Sequence, residues 1–144
     1  MILETRDFKS CEVHGTKLYE YRRKSIGTKN IGKKIFIYSS EEAKQIIGYI
    51  MIDNIIEGNL EYVLDYTNNK DNQDIINYFN NASNCYALSI DKVYKFSNPI
   101  TLESIKRINN NFVIPQYYRY LKEDEVIYKI LKDLLDKDKI ECIR

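Results

Sequence analysis

Alternation of apolar and polar residues dominates the first third of the chain and predicts strands there. Residues 17–23 alternate, which is typical of a strand with two chemically different faces. Residues 33–38 predict a second strand, because β-branched and aromatic side chains dominate them. Residues 45–56 predict a long third strand in which Gly48 marks a bulge or a close backbone approach. The chain is therefore expected to begin as a β-rich structure.

The middle of the chain changes to helical spacing. Residues 60–66 and 74–79 predict two short helices joined by a polar loop. Residues 85–96 return to a strand pattern, which we expect Pro99 to end. Thr101 then opens a further short helix.

Residues 123–136 predict a last helix with one continuous apolar face. We expect this face to pack on the rest of the chain, and a partner surface is the alternative. The order of elements is β-rich, two helices, β-rich and a final helix. This order predicts an α+β fold, with mostly antiparallel strands in a small, partly closed barrel.

The composition narrows the class of protein without naming a partner. The 144 residues are 44% hydrophobic and 30% charged, which excludes a wholly disordered or collagen-like chain. The 22 basic residues nearly balance the 21 acidic ones, and the net charge is +1. No apolar run has the length of a membrane span, and the N-terminus lacks a secretion-signal pattern. We expect a cytoplasmic protein that does not enter a membrane, in an oligomeric state that the sequence leaves open.

The cysteines and the single histidine favour neither a disulfide framework nor a metal site. Cys11, Cys85 and Cys142 are odd in number and far apart, and only His14 could join them as a further ligand. We therefore expect three reduced cysteines that act as small hydrophobic residues. No metal and no cofactor are expected.

Positive charge is concentrated in residues 14–36, where Glu20 is the only acid. Basic residues interleaved with aromatic ones are typical of nucleic-acid surfaces, because cations neutralise phosphates and rings stack on bases. A solvated edge strand protected by lysines is the alternative interpretation. The seven basic residues are Lys17, Arg22, Arg23, Lys24, Lys29, Lys33 and Lys34.

Within this segment Gly15, Lys17, Glu20 and Arg22 form a G-x-K-x-x-E-x-R pattern. The pattern resembles the signature of ASCH domains, which belong to the PUA-like superfamily. The resemblance covers about residues 1–121, as one barrel domain, and leaves 122–144 as an amphipathic helix packed on that domain. Further segments resemble the family in the right order, namely residues 35–40, 46–48, 86–90, 99–102 and 115–121.

The resemblance implies a small PUA-like mixed β-barrel, partly closed, with flanking helices and a cleft lined by the motif. It implies binding of RNA, either single-stranded or carrying a modified base. Phosphate contacts are expected from Lys17, Arg22, Arg23, Lys24, Lys33 and Lys34. Base contacts are expected from Glu20, Tyr38, Ser39, Gln116, Tyr117 and Tyr118, with the rings beside the Arg119 guanidinium.

A hydrolase acting on a modified nucleoside is the alternative function. A few ASCH-like proteins are enzymes, including an amidohydrolase that deacylates N4-acetylcytidine with the lysine of the motif. Lys17 matches that lysine, but Glu20 stands where that enzyme type has a threonine. A carboxylate beside the amine favours the ammonium form and weakens Lys17 as a base or nucleophile. Lys17 and Glu20 are thus catalytic candidates, with Glu57 or Glu61 as a further acid, and binding is favoured over catalysis.

Overall fold

A computed structural model of the chain describes residues 1–5, 17–40, 44–114, 118–137 and 140–143. The described strands are β1 (Ile2–Thr5), β2 (Tyr19–Arg22), β3 (Ile35–Ser39), β4 (Gln45–Gly58), β5 (Cys85–Thr101), β6 (Tyr118–Arg119) and β7 (Ile140–Cys142). The described helices are α1 (Leu60–Tyr66), α2 (Gln73–Tyr78), α3 (Leu102–Ile108) and α4 (Val126–Lys137). Strands and helices both contribute, which confirms the α+β prediction.

The chain divides into two compact units. The first comprises residues 1–16, 34–50 and 92–144, and the second comprises residues 17–33 and 51–91. The long strands β4 and β5 each contribute one part to either unit. The predicted division between residues 1–121 and 122–144 follows a different boundary and stays a prediction.

The first unit is a mixed sheet with the strand order β5, β4, β3, β1, β6. β1 runs parallel to β3, β3 runs antiparallel to the start of β4, and β6 runs antiparallel to β1. β7 pairs antiparallel with the end of β5 and places Cys142 opposite Tyr94. The described strands of this unit form an open sheet rather than a closed ring.

Gly48 lies where the sheet of the first unit allows no side chain. A Cβ atom at this position would lie 2.0 Å from the main-chain oxygen of Tyr94. The pairing of β3 with β4 also shifts register between Ile37 and Tyr38, next to Gly48. Both observations confirm the predicted close approach and irregularity at this glycine.

Aromatic rings and the last helix fill the core of the first unit. Tyr49 stacks on Tyr94 with ring centroids 4.6 Å apart, and Phe36 lies 5.8 Å from Tyr49. Ile127 and Leu131 of α4 are buried, whereas Val126 at the start of the same helix is 38% exposed. The apolar face of α4 therefore contributes two side chains to the buried core.

The second unit packs α1 and α2 on strands. β2 runs antiparallel to the start of β5 and pairs Tyr19 with Ser89. One apolar cluster of its core consists of Ile56, Val63, Phe79, Cys85 and Ala87. Asn59 and Asn72 cap the two helices, since each side chain accepts hydrogen bonds from main-chain N–H groups of the first turn.

Three sequence predictions were wrong or incomplete. β5 continues through Pro99 to Thr101, because the fixed φ of proline is compatible with extended backbone and only its N–H is lost. β7 was not predicted, since three residues are too few to show a pattern. Cys85 is buried as expected, but Cys142 is exposed, and Cys11 lies outside the described residues.

None of the described helices is long and apolar enough to cross a membrane. In the part of the chain that the structure describes, no group of three or more His, Cys, Asp or Glu side chains is arranged to hold a metal ion.

Candidate nucleic-acid interface

Strand β2 carries the candidate site because its two faces have different chemistry. Tyr21 contacts Phe79 of the core, edge to face, at a centroid distance of 5.9 Å. Glu20 and Arg22 project to the opposite face, because side chains alternate along a strand. Both are nonetheless buried, with 5% and 8% of their surface exposed. The apolar face thus fixes the strand while the other face holds charge.

Glu20 is the centre of a buried ion cluster. Its Oε2 atom lies 2.5 Å from Lys17 Nζ, and its Oε1 atom lies 3.4 Å from Arg22 Nη1. A carboxylate is rarely buried unless it is paired, and here each oxygen has a cationic partner. Two cations around one anion leave one net positive charge, which favours an anionic ligand. This cluster joins three of the four motif residues, and the fourth, Gly15, lies outside the described residues.

Arg23 performs a structural task next to this cluster. Its Nη1 atom donates to the main-chain oxygens of Tyr78 and Asn80, at 2.8 Å each. These carbonyls lie at the C-terminal end of α2, where helical hydrogen bonding leaves acceptors unsatisfied. Arg23 was predicted to hold phosphate, and this contact stays a prediction, while its Nη1 atom binds the end of α2.

The contact with α2 brings Tyr78 to the site, a residue that sequence reasoning missed. Partial burial raises the pKa of the Tyr78 phenol above its usual value, and the Arg22 charge opposes this. Glu20 raises the pKa further, while a hydrogen bond with the main chain of Arg23 lowers it. The phenol therefore lies within the electrostatic field of the cluster. Only the helical spacing of residues 74–79 was visible in sequence, and it gives no sign of this neighbour.

The basic loop that follows β2 and carries Lys24, Lys29 and Lys33 is held in shape by a frame of uncharged residues. Gly27 and Gly32 adopt positive φ angles of 81° and 76°, which other residues rarely do. Asn30 is buried, and its Nδ2 atom donates to the main-chain oxygen of Ile26. This frame presents Lys24, Lys29 and Lys33 as exposed residues.

The other predicted contacts with described side chains lie in the first unit. Lys34 Nζ lies 5.7 Å from the centroid of the Tyr49 ring. Tyr38 is 1% exposed, so its ring has no free face for a base, and Ser39 is half-buried.

The segment around β6 also belongs to the first unit. Tyr118 contacts Tyr120 edge to face at 5.8 Å, so one of its neighbours is another ring. Arg119 pairs with Glu125 and lies over the Phe112 ring at 5.6 Å. Gln116 and Tyr117 lie outside the described residues.

The two further acids of the hydrolase hypothesis have other surroundings. Glu57 accepts a hydrogen bond of 2.9 Å from Asn84 Nδ2. Glu61 is exposed in the first turn of α1, where a carboxylate is favoured by the helix dipole. The contacts described for these two acids thus give them local structural roles.

A small α+β domain with a charged cluster on one strand is the class that this fold and site define. Comparison with known structures shows which solved proteins share this fold. The crystal structure of an ASCH protein from Zymomonas mobilis matches with a TM-score of 0.77 and 22% identity, over 96% of this chain and 94% of that one. A tyrosine-to-phenylalanine mutant of that protein matches at the same TM-score and 20% identity, over 96% and 97% of the two chains.

Sequence comparison gives the same result. No protein-family model matches the chain. A curated relative from Zymomonas mobilis, described as an ASCH domain-containing ribonuclease, is 25% identical over 122 residues. The match covers 83% of this chain and 81% of the relative. The resemblance to the ASCH domain family that the sequence predicted is confirmed by this relative and by the solved structures.

Proposed function

We propose that the chain binds RNA through the second unit, at the surface around Lys17, Glu20 and Arg22. The observation that carries the proposal is the buried ion cluster, in which one carboxylate orients two cations. Orienting cations before binding reduces the entropy that an ordered contact with phosphate costs. The description of the Zymomonas relative as a ribonuclease supports RNA as the polymer.

Lysines of the basic loop extend this surface. Lys24 and Lys33 are exposed in the same unit as the cluster. Each phosphate neutralised by a cation releases counterions, so binding should weaken steeply as salt rises. Separate contacts with RNA are also proposed for four residues of the first unit, namely Lys34, Ser39, Tyr118 and Arg119.

Cleavage of RNA is the second candidate function, favoured by the description of the relative as a ribonuclease. Cleavage at a phosphate needs a proton acceptor, a proton donor and positive charge at the developing oxyanion. Lys17 and Arg22 would supply the positive charge, and Glu20 would hold them in position. Deacylation of a modified nucleoside by Lys17 is the remaining hydrolytic alternative.

One experiment separates these functions. End-labelled single-stranded RNA is titrated with the chain at two salt concentrations, and the same samples are resolved on a denaturing gel. Free N4-acetylcytidine is incubated in parallel and analysed for cytidine. Salt-sensitive binding without product supports the binding domain, shorter RNA supports the nuclease, and cytidine without RNA binding contradicts both.

Charge reversal of the loop tests the surface itself. We expect Lys24→Glu with Lys33→Glu to weaken RNA binding about tenfold at low salt, uniformly across sequences. The salt dependence should also become less steep, by roughly 0.7 in logarithmic slope for each lost phosphate contact. The matched control reverses Lys129 and Lys132, which are exposed on α4 of the first unit. Equal affinities for the loop variant and the unmodified chain would remove the loop from the interface.

A further inference from the structure

Tyr78 is exposed and also lies next to the ion cluster, and no other described tyrosine of the second unit is given both properties by the structure. It ends α2, it is 42% exposed, and its phenol lies in the field of Arg22 and Glu20. The next residue, Phe79, is buried in the core and contacts the Tyr78 ring at 5.1 Å. The ring is thus supported from the protein side while part of it faces solvent.

Arg23, the residue that follows β2, binds the end of α2 at two points. The Arg23 guanidinium donates to the Tyr78 main-chain oxygen at 2.8 Å. A second donation to the Asn80 oxygen fixes the turn that follows α2. These two hydrogen bonds fix the backbone that carries the Tyr78 side chain, and the Phe79 ring supports one side of the Tyr78 ring.

We propose that Tyr78 stacks on a nucleobase of the bound RNA and that Arg23 is the positioning residue that holds its ring there. This inference rests on the proposed function and names the part of the RNA that the site reads. Exposed bases of single-stranded RNA stack on aromatic side chains, whereas bases in a duplex are already stacked. The ligand class is therefore single-stranded RNA, with phosphate at Lys17 and Arg22 and a base at Tyr78.

Local charge distinguishes Tyr78 from the other exposed tyrosines of the unit. Tyr62 and Tyr66 are more exposed than Tyr78 and contact each other on α1. The acids of this helix, Glu61 and Asp65, are also exposed and would repel a phosphate backbone. Tyr78 shares its helix with the exposed Asp74, but the Arg23 guanidinium binds its main-chain oxygen and so places a cation beside it.

The test compares intact RNA with abasic RNA. A short single-stranded oligonucleotide is made in a set in which each position in turn lacks its base. Affinities are measured for the unmodified chain, Tyr78→Ala, Tyr78→Phe, Arg23→Lys and Arg23→Ala, after circular dichroism has verified folding. Tyr66→Ala is the matched control, because Tyr66 is an exposed tyrosine of the same unit.

We expect Tyr78→Ala to weaken binding of intact RNA about tenfold and to have no effect on the one oligonucleotide that lacks the stacked base. Tyr78→Phe, which keeps the ring, should stay within about twofold of the unmodified chain. Arg23→Ala should lose the same base-dependent part of the affinity as Tyr78→Ala does. Arg23→Lys should keep some of that affinity. A merely structural role would weaken intact and abasic RNA alike.

The outcomes separate this inference from the function beneath it. If the unmodified chain binds RNA but Tyr78→Ala lowers the affinity equally for intact RNA and for every abasic RNA, the stacking role is wrong and the RNA-binding function stands. The stacking role is also wrong if Tyr66→Ala reproduces the loss. If the unmodified chain binds none of these RNAs at low salt, both proposals are overturned.

Discussion

Buried strand positions hold aromatic side chains in the first unit and charged side chains in the second. In the first unit Phe36, Tyr49 and Phe96 pack ring against ring. In the second unit the buried positions of β2 hold Glu20 and Arg22. Removing charges from water costs several kcal/mol per ion, and apolar side chains in their place are often as stable or more so. Stability alone would therefore not select the cluster, and this supports the binding role that we propose for it.

The largest predicted effect concerns the first unit, where close packing is strictest. Gly48→Ala should lower the free energy of unfolding by about 3 kcal/mol, because its Cβ would meet the Tyr94 carbonyl and the strands must move apart. Urea denaturation measures the loss. Gly58→Ala is the control, since its Cβ would meet the Tyr62 ring at 2.7 Å and this half-exposed side chain can turn away. Equal losses for the two variants would contradict the close approach of β4 and β5 at Gly48.

The next effect breaks the cluster of the second unit. Glu20→Gln should destabilise the chain by about 2 kcal/mol, because Lys17 and Arg22 stay close together without a neutralising carboxylate. This value lies below that of a fully buried pair, since Lys17 keeps some access to water. Glu103→Gln removes the partner of Arg107 in an exposed pair and should change stability by less than about 0.5 kcal/mol. A loss as small for Glu20 as for Glu103 would show that the cluster is not effectively buried.

The smallest predicted effect is a loss of stability at alkaline pH that arises from a buried tyrosine of the first unit. Burial, and then the nearby Tyr94 and Cys142, raise the pKa of Tyr49 above its ordinary value of 10.0. Between these two pKa values the folded chain holds a proton that the unfolded chain has released, so stability should fall as pH rises above about 10. Tyr49→Phe should flatten this fall in denaturation curves taken at several alkaline pH values. If Tyr49→Phe leaves the pH dependence of stability unchanged, groups other than Tyr49 cause the loss of stability at alkaline pH.

Local chemistry explains which parts of the fold the sequence could predict. Gly48 was identified from its place in an apolar strand, and Thr101 from its place before a helical pattern, where its side chain accepts from Ser104 N. Tyr38 was predicted to meet a base because it is aromatic, but an alternating or continuous pattern does not say which buried ring stays accessible. Its burial is decided by neighbours that are distant in sequence.

The candidate site shows the same limit. The spacing of Glu20 and Arg22 predicted that they share a face, since a strand places alternate residues on one face, and Lys17 was predicted to lie one turn-like step before them. The partnership of Arg23 with Tyr78 spans 55 positions and depends on how α2 ends. No periodicity in either segment contains that information, so Tyr78 could only be found in three dimensions.

The frame of the basic loop has a consequence for how readily this surface can change. Ile26, Gly27, Asn30 and Gly32 fix its course, and none of them carries charge. Exchange of an exposed lysine of this loop, such as Lys33, leaves these four residues unchanged. Mutation could then adjust the rate of capture of a polyanion by long-range attraction. Salt tolerance and partner range would drift in small steps while the architecture stays constant.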